Sequence, residues 1–276
     1  MKEEFDLVIE PGRIEKNYWQ DIWRYRELFY ILSWRDIKVR YKQTVIGITW
    51  SIIRPLLTML IFTFVFGKLA KLPTEGNAPY AILVFAGMLP WQFFANGLTE
   101  SSDSLITNSN LISKVYFPRL IIPISSIMTS VLELLISFFI LIGLFVYFNF
   151  IPSWHILFLP FFIFIAFLSS FGLGLFLSSM NVKFRDFRYI VPFIVQLGLY
   201  ISPVGFSSTI VPEKWKIFYS LNPMVSVIEG FRWCILGGES KIYFNGMIFS
   251  LIMICLLVWV SVKFFRKTEK SFADFI

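Results

Sequence analysis

Charged residues are scarce in this sequence. Asp, Glu, Lys and Arg supply 16% of the 276 residues, whereas 57% are hydrophobic and the mean hydropathy is +0.70. A soluble domain carries about 25% charged residues, so an ordinary soluble protein is excluded. A bilayer core of about 30 Å needs about 20 apolar residues in a helix, and several uncharged runs reach that length. The chain is therefore predicted to be an integral membrane protein.

Residues that bind metals or form disulfides are also few. The two cysteines, Cys234 and Cys255, match no metal-binding spacing, and His155 is the single histidine. Metal sites and disulfide frameworks need several such residues at characteristic spacings. We expect neither in this chain. His155 is interpreted as a span-boundary residue, with a catalytic role as the less favoured alternative.

The sequence also lacks a phosphate-binding loop of the form G-x-x-x-x-G-K-[ST]. The nearest glycine cluster, Gly172 and Gly174, lies inside a hydrophobic run. The missing motif cradles nucleotide phosphates with its backbone N–H groups and its lysine. We therefore expect no cofactor in this chain and no binding of ATP by that route.

Six apolar runs predict an all-α integral membrane fold. They cover residues 45–66, 80–98, 120–148, 154–180, 189–206 and 243–265. The runs are continuously apolar rather than alternating, which favours helices over barrel strands. The predicted organisation is an N-terminal segment, 1–44, a six-span domain, 45–265, and a tail, 266–276.

Two segments outside the spans are predicted to form helices that do not cross the membrane. Apolar residues recur every three or four positions between Ile22 and Leu32, which indicates an amphipathic helix on the membrane surface. Asp36 and Arg40 are spaced to pair on it. The apolar stretch Met224–Leu236 is too short to cross, so residues 207–242 are predicted to form a re-entrant or interfacial helical hairpin. In it, Glu229 and Arg232 are spaced to pair.

The distribution of Lys and Arg predicts the orientation. The connections on one side of the predicted bundle carry eighteen of these residues and those on the other side carry six, with Arg54 inside the first run. Cytoplasmic loops are enriched in Lys and Arg, so both termini are expected in the cytoplasm. Because the basic residues lie beside hydrophobic runs, membrane lipid explains the net charge of +7 better than nucleic acid does.

A polar cytoplasmic loop, residues 100–118, follows the second span. Its sequence, ESSDSLITNSNLISKVYFP, contains a predicted short helix at Ser104–Ile112. Such a segment can dock into a cleft of a soluble partner or serve as a solvated connector, and composition leaves both interpretations open.

Intramembrane charge and abundant aromatics are the features that point to a substrate. Arg54 precedes Pro55 in the first run, where it either reaches back to the headgroups or contacts an anionic substrate. Aromatic residues make up 19% of the chain, and their rings can stack on the C–H faces of sugars or face lipid. The candidates for the sugar-facing role are Trp50, Phe62, Phe66, Trp91, Phe94 and Tyr200.

Three segments of the sequence form a recognisable pattern: WRDIKVRYKQTVIGITWSIIRP at residues 34–55, FPRLIIP at 117–123, and SPVGFSSTIVP at 202–212 followed by Leu221, Asn222, Pro223 and Glu229 to Arg232. These segments resemble the membrane subunits of ABC-2 type exporters, in particular the branch that moves O-antigens, capsular polysaccharides and teichoic acids. The resemblance extends over nearly the whole chain with the right order and spacing.

The resemblance implies an assembly and a set of roles. It implies a homodimer of this chain with two copies of a separate ATPase, which would bind ATP and Mg, in the bacterial inner membrane. The substrate would be a glycan carried on a polyprenyl diphosphate lipid. The implied residues are Trp34, Arg35, Lys38, Arg40, Tyr41 and Arg54 at the entrance gate, with the arginines near the diphosphate; Glu100, Asp103, Ser104, Leu105, Asn108, Leu111 and Lys114 in the coupling segment; and Asn222, Pro223, Glu229 and Arg232 in the exit helices.

Three alternatives remain open. An exporter of this type could carry another amphipathic substrate, such as a lipid or a drug. A membrane glycosyltransferase would need carboxylates at a membrane face, where the loops offer few. An ion channel or ion-coupled transporter would need a charged ring or polar broken helices at mid-membrane, and neither pattern is clear in the sequence.

Overall fold

The chain is helical throughout the part that the structure describes. A computed structural model describes residues 18–42, 45–76, 78–184, 186–237 and 240–272. Within these ranges there are eleven α-helices and no strand, which confirms the all-α prediction. The α-helices are α1 (Tyr18–Arg24), α2 (Arg26–Tyr41), α3 (Val45–Phe62), α4 (Tyr80–Thr107), α5 (Ser109–Lys114), α6 (Ile121–Tyr147), α7 (Leu159–Lys183), α8 (Phe187–Ile201), α9 (Glu213–Tyr219), α10 (Pro223–Ile235) and α11 (Phe244–Thr268). A π-helix covers Thr63–Leu69, and 3₁₀ turns cover Trp154–Phe158, Ser208–Ile210 and Glu269–Ser271. Predictions made for residues 1–17 and 273–276 lie outside the described residues.

Five helical segments of the described chain are long and apolar enough to cross a membrane. They are Thr49–Leu69, Tyr80–Thr107, Ile121–Tyr147, Trp154–Lys183 and Phe244–Thr268, and they correspond to five of the six predicted runs. The remaining run forms α8, which has 15 residues and therefore a length of only about 22 Å at 1.5 Å per residue. The chain is thus a multi-pass membrane protein with five candidate spans, and the six-span count stays a prediction.

Helix α4 forms the centre of the bundle. In its most apolar window 89% of the residues are buried inside the structure, against 11% for Thr49–Leu69. It packs chiefly against α6 and α7. Small residues allow these close contacts, because a Cβ added at Gly97 would lie 3.1 Å from Ser170 Oγ and one added at Gly174 would lie 2.7 Å from Ser101. Membrane helices pack closely through such small residues in the absence of a hydrophobic driving force between them.

The second predicted span continues beyond its expected end at residue 98. Helix α4 runs without interruption to Thr107, so the predicted short helix at Ser104–Ile112 is wrong: its first part belongs to α4 and its second to α5. Several polar side chains of this stretch bond to carbonyls three or four residues earlier, as Thr99 does to Ala95 and Thr107 to Asp103. These bonds satisfy the hydroxyls within the helix, so the polar sequence does not end it.

The chain passes from one end of the bundle to the other between α7 and α11. Near the end of α7, Asn181 donates through Nδ2 to the Ser102 carbonyl, close to the end of α4. In α11, Ser250 bonds to Ser226 of α10, and Arg232 of α10 bonds to the Leu83 carbonyl near the start of α4. Helix α8 and the segment after it therefore connect opposite ends of the bundle.

Both described ends of the chain meet at the end of the bundle where α5 lies. The Tyr18 hydroxyl of α1 donates to Glu269 Oε2 over 3.1 Å, and the Arg119 N–H donates to Glu269 Oε1 over 3.0 Å. Burial raises the pKa of the Glu269 carboxyl above its usual range, and it also raises that of the Tyr18 hydroxyl. The side chain of Arg266 lies over the Tyr18 ring, 4.6 Å from its centroid. These contacts hold α1, the connection before α6 and the segment after α11 at one level.

Two short helices, α9 and α10, occupy the segment predicted to form a hairpin. The Asn222 side chain caps α10 by accepting from the Met224 N–H over 3.0 Å, and Pro223 takes the first helical position. Asparagine is favoured at the N-cap and proline at the position after it. The two helices are as expected, and their placement at or in the membrane stays a prediction.

Candidate functional site

An open cavity of about 720 Å³ lies between α2, α3, α4, α6 and α8. Its volume falls within the range of about 300–1,000 Å³ typical of ligand sites. The lining combines polar, charged and aromatic side chains, which include Arg40, Tyr41, Trp50, Ser51, Arg54, Thr58, Trp91, Gln92, Asn96, Thr99, Glu100, Ser130, Glu133, Ser137 and Gln196. Every helix around the cavity therefore contributes at least one group that can hydrogen-bond a ligand.

Two polar stripes on apolar helices form much of the lining. Gln92, Asn96 and Thr99 lie at positions i, i+4 and i+7 of α4, and α6 adds a second stripe around Ser130 and Glu133. Residues at this spacing share one helix face. Polar groups inside a membrane helix are costly and usually face a cavity or the bundle interior. The stripe of α4 was not among the predicted site residues, although its polar periodicity could have revealed it.

The aromatic candidates divide between the lining of the cavity and positions outside it. Trp50 and Trp91 line the cavity together with Tyr41. Phe62 and Phe66 instead pack edge to face on each other, with ring centroids 5.4 Å apart. The remaining two are not lining residues either, because Phe94 is buried beside Trp91 and Tyr200 is exposed elsewhere on α8.

A glycine on α8 fixes the position of the Trp91 ring. A Cβ added at Gly198 would lie 2.5 Å from Cη2 of that ring, which is closer than two carbon atoms can approach. Gly198 thus allows α8 to pack directly on the indole. In this arrangement α8 supports one wall of the cavity.

Arg40 makes two ion pairs at the cavity, and neither is the predicted pair with Asp36. Its Nη1 lies 2.7 Å from Glu100 Oε1 on α4, and its Nη2 lies 2.6 Å from Glu133 Oε1 on α6. Asn96 donates to the other oxygen of Glu133. Asp36 pairs instead with its neighbour Arg35. The local i, i+4 pair is therefore replaced by contacts between helices.

Arg54 is the other cation that lines the cavity. Among the described residues no carboxylate lies within ion-pair distance of its guanidinium, and its side chain is exposed. It therefore remains available to an anionic ligand. Of the other predicted gate residues, Tyr41 lines the cavity and the rest do not. Arg35 donates to Asn108 Oδ1 over 2.7 Å, and Lys38 lies over the exposed Trp34 ring.

The predicted coupling residues separate into buried and exposed groups. Leu105 is fully buried, and Ser104 and Asn108 are almost so. Glu100, Asp103 and Leu111 are partly buried, while Lys114 is exposed. Val115 and Tyr116, which the sequence analysis did not select, are exposed apolar residues directly after α5. The surface at this end is formed by Thr107, Asn110, Ser113, Lys114, Val115 and Tyr116, which we call the tip.

Two of the exit candidates, Glu229 and Arg232, are buried, and Arg232 is the centre of a buried cluster. Arg232 is fully buried, and its guanidinium donates to the carbonyls of Leu83, Val204 and Phe206. Its Nη1 lies 3.6 Å from Glu75 Oε1, so its ion-pair partner is Glu75 rather than the predicted Glu229. Glu229 accepts from the Tyr243 N–H. Asn222, besides capping α10, donates to Ser202 Oγ over 2.8 Å. This cluster fixes backbone positions near the start of α4.

Comparisons with known proteins place this chain in a family. Residues 27–236 match the family model of the ABC-2 type transporter. The chain is 32% identical over 262 residues to an O-antigen export system permease protein RfbA of Klebsiella pneumoniae, covering 91% of this chain and 95% of the relative. An RfbA of Myxococcus xanthus is 26% identical, with coverage of 93% and 98%. The polysialic acid transport protein KpsM of Escherichia coli is 24% identical, with coverage of 86% and 92%. The match over most of the chain means that this protein belongs to the ABC-2 type transporter family.

Proposed function

We propose that this chain is the membrane subunit of an ATP-driven exporter that moves a lipid-linked polysaccharide from the cytoplasmic side across the bacterial inner membrane. The observation that carries the proposal is the open cavity, which has tryptophans beside amide and hydroxyl groups. The names of the relatives, O-antigen and polysialic acid export proteins, agree with this substrate class.

The lining suits a sugar polymer better than a lipid or a drug. Trp50 is exposed and offers a flat apolar face on which the C–H face of a sugar ring can stack. Trp91 is a buried part of the cavity wall. Gln92, Asn96 and Gln196 offer amide donors and acceptors for the hydroxyl groups. A purely apolar substrate would hydrogen-bond to neither Gln92 nor Gln196 while displacing water from both amides, which costs free energy.

Arg54 is the residue that we assign to the diphosphate of the lipid carrier. Its guanidinium can form paired charge-assisted hydrogen bonds to phosphate oxygens, and it faces the cavity without a carboxylate partner among the described residues. Of the three arginines considered from sequence, Arg40 and Arg35 are already held by carboxylates. The anionic end of the substrate therefore binds beside Arg54, and its sugars extend along the aromatic wall.

A membrane glycosyltransferase fits the cavity less well. Its lining contains two carboxylates, Glu100 and Glu133, and both are paired with Arg40. A general acid or base needs a carboxyl group that is free to exchange protons with the substrate. The lining thus favours transport over sugar transfer.

ATP hydrolysis takes place in a partner that docks on the tip. Membership of an ABC transporter family implies a partner ATPase, and that partner would bind ATP and Mg. The tip offers the exposed apolar side chains Val115 and Tyr116 next to the cation Lys114. An apolar centre with a polar rim is typical of protein interfaces. This surface replaces the buried residues Leu105 and Asn108 as the expected point of contact.

The transport pathway is completed by a second copy of this chain. The cavity is open, and the segment Thr49–Leu69, which combines most of α3 with the π-helix after it, has only 11% of its most apolar window buried. A homodimer with two-fold symmetry is the commonest way in which such a surface is covered. Each copy would then supply half of a pathway between two facing cavities.

Six crossings account for the path of the chain better than five. Tyr18 contacts Glu269 directly, so the segments before α3 and after α11 lie at the same end of the bundle. An even number of crossings returns a chain to its starting side, and α8 with the segment after it supplies the sixth. The Lys and Arg distribution assigns that end to the cytoplasm, with α9 and α10 as a re-entrant or interfacial hairpin at the outer face.

Reconstitution tests the proposed function. The chain is copurified with its ATPase, placed in proteoliposomes, and supplied with a polyprenyl diphosphate glycan on the outer leaflet, where inside-out complexes accept it. Transfer of the glycan to the lumen should require ATP. Transport of a lipid or drug but no glycan would assign the chain to another amphipathic substrate, and failure to copurify any ATPase would contradict the proposal.

A further inference from the structure

A single guanidinium joins three helices at the cavity. Arg40 lies in the last turn of α2, and it is held by Glu100 on α4 at 2.7 Å and by Glu133 on α6 at 2.6 Å. Asn96, one turn before Glu100 on α4, donates to the second oxygen of Glu133. The two carboxylates therefore face a common cation. Without it, two like charges would remain close together beside an apolar bundle.

The two ion pairs of Arg40 are partly exposed to water, so they can form and break as the helices move. The side chains of Arg40 and Glu100 are 35% and 40% exposed, whereas that of Glu133 is 16% exposed. Solvent-exposed ion pairs contribute little free energy and exchange readily, while a pair withdrawn from water is costly to break. Arg40 is 35% exposed in both pairs, so it can follow Glu100 on α4 while its pair with Glu133 on α6 exchanges.

A second contact ties α2 to the end of α4. Arg35, five residues before Arg40, donates to Asn108 Oδ1 over 2.7 Å, directly after the last residue of α4. Glu100 lies seven residues before that end, about 10 Å along the axis at 1.5 Å per residue. Helix α4 is continuous between these points, so a displacement of the tip reaches Glu100 through a rigid element.

We infer that Arg40 is a positioning residue that transmits movement of the tip to helix α2. The inference rests on the proposed function, since it takes the tip as the point where the ATPase docks. When the ATPase displaces the tip, α4 carries Glu100 with it, and the ion pair to Arg40 moves α2 relative to α6. Because Arg40 and Tyr41 line the cavity at the end of α2, this movement changes access to the cavity. Arg40 itself binds no substrate in this scheme.

The main variant is Arg40→Gln in the complete complex with its ATPase. We expect the complex to hydrolyse ATP at a rate within about twofold of wild type, whereas glycan transport falls at least tenfold. Lys42→Gln is the matched control, because Lys42 is an exposed cation two residues further along the chain. It should transport at the wild-type rate.

Two further measurements separate positioning from a merely structural role. Spin labels at Val39 on α2 and Ile151 at the far end, both highly exposed, report the distance change that a non-hydrolysable ATP analogue produces. This change should be present in the wild type and absent in Arg40→Gln. In addition, Glu100→Gln should lower transport, and adding it to Arg40→Gln should produce no further loss, because the two residues act through one contact.

A neutral triple variant keeps the test decisive if Arg40→Gln fails to assemble. Arg40→Gln combined with Glu100→Gln and Glu133→Gln leaves no unpaired carboxylate. It should assemble and hydrolyse ATP while transport falls at least tenfold. Wild-type transport or a wild-type distance change in either variant would overturn the inference. If the wild-type complex itself transported no glycan, the proposed function would fail instead.

Discussion

The two arginine clusters at opposite ends of the bundle use the same side chain in different ways. Arg232 is fully buried and donates to three backbone carbonyls, with its carboxylate partner at 3.6 Å. Arg40 is partly exposed and makes two shorter pairs with side chains on different helices. Contacts to backbone fix the course of a chain, whereas contacts between side chains on separate helices can break and re-form. The first cluster therefore maintains the fold, and the second is suited to movement.

The largest expected effect is on the buried cluster. Arg232→Met leaves Glu75 buried without its counter-charge and removes the donors to three carbonyls. Breaking one partner of a buried pair costs about 3–5 kcal/mol. We expect a large fall in the thermal midpoint and poor recovery from the membrane. Lys214→Met, at an exposed position of α9, is the control and should leave both unchanged. Equal stability of the two variants would remove the distinction between the clusters.

Arg54→Gln should affect transport without affecting stability. The guanidinium makes no ion pair with a described carboxylate, so its removal leaves no buried charge unpaired. A lost charge-assisted hydrogen bond to phosphate costs about 1.5–3 kcal/mol, which corresponds to roughly tenfold or more in transport efficiency. Arg54→Lys should retain part of the activity. A fall in thermal midpoint equal to that of Arg232→Met would mean that Arg54 is structural.

Gly198→Ala should disturb the wall of the cavity through Trp91. The added Cβ would lie 2.5 Å from the indole, and overpacking of this kind costs about 1–3 kcal/mol. Transport should fall several-fold as the ring is displaced. Gly143→Ala is the matched control, since nothing lies within 4 Å of its added Cβ, and a helical Gly→Ala change stabilises by up to about 1 kcal/mol. Identical behaviour of the two variants would show that the Trp91 contact is unimportant.

The smallest predicted effect concerns the aromatic surface. Trp50 lines the cavity, whereas Tyr200 is exposed outside it. Loss of one stacking contact is worth about 0.5–1.5 kcal/mol, so Trp50→Leu should lower glycan transport about three- to tenfold. Tyr200→Leu should have little effect. The reverse order would assign the sugar path to a different surface of α8.

Long apolar segments were predictable from sequence because the free-energy cost of an unsatisfied backbone in lipid depends only on the segment itself. Each run can satisfy its backbone only by forming a helix in lipid, and five runs correspond to candidate spans. The end of the run at α8 was less predictable. Ser202 is extended before Pro203, as the proline favours. Arg232 then binds the carbonyls of Val204 and Phe206, so the helix ends at Ile201 rather than at residue 206.

The contacts of the candidate site were beyond sequence reasoning where they join distant parts of the chain. Arg40 lies 60 residues from Glu100 along the chain, while Asp36 is four residues away, and only the fold decides between these partners. The extension of α4 to Thr107 was hidden because serines and threonines are favoured in loops as well as in self-satisfied helical turns. By contrast, the polar stripe of Gln92, Asn96 and Thr99 was present in the sequence as a periodicity of 3.6 residues.

Export of a lipid-linked polysaccharide by this chain can be measured in the cell by deleting its gene and identifying the lipid-linked glycans in the cytoplasmic leaflet. One such glycan should accumulate there and be absent from the cell surface. Complementation with the wild-type gene should reverse both changes, whereas Arg54→Gln should restore export poorly. Normal surface glycan with no accumulation inside would mean that this chain does not export a lipid-linked polysaccharide.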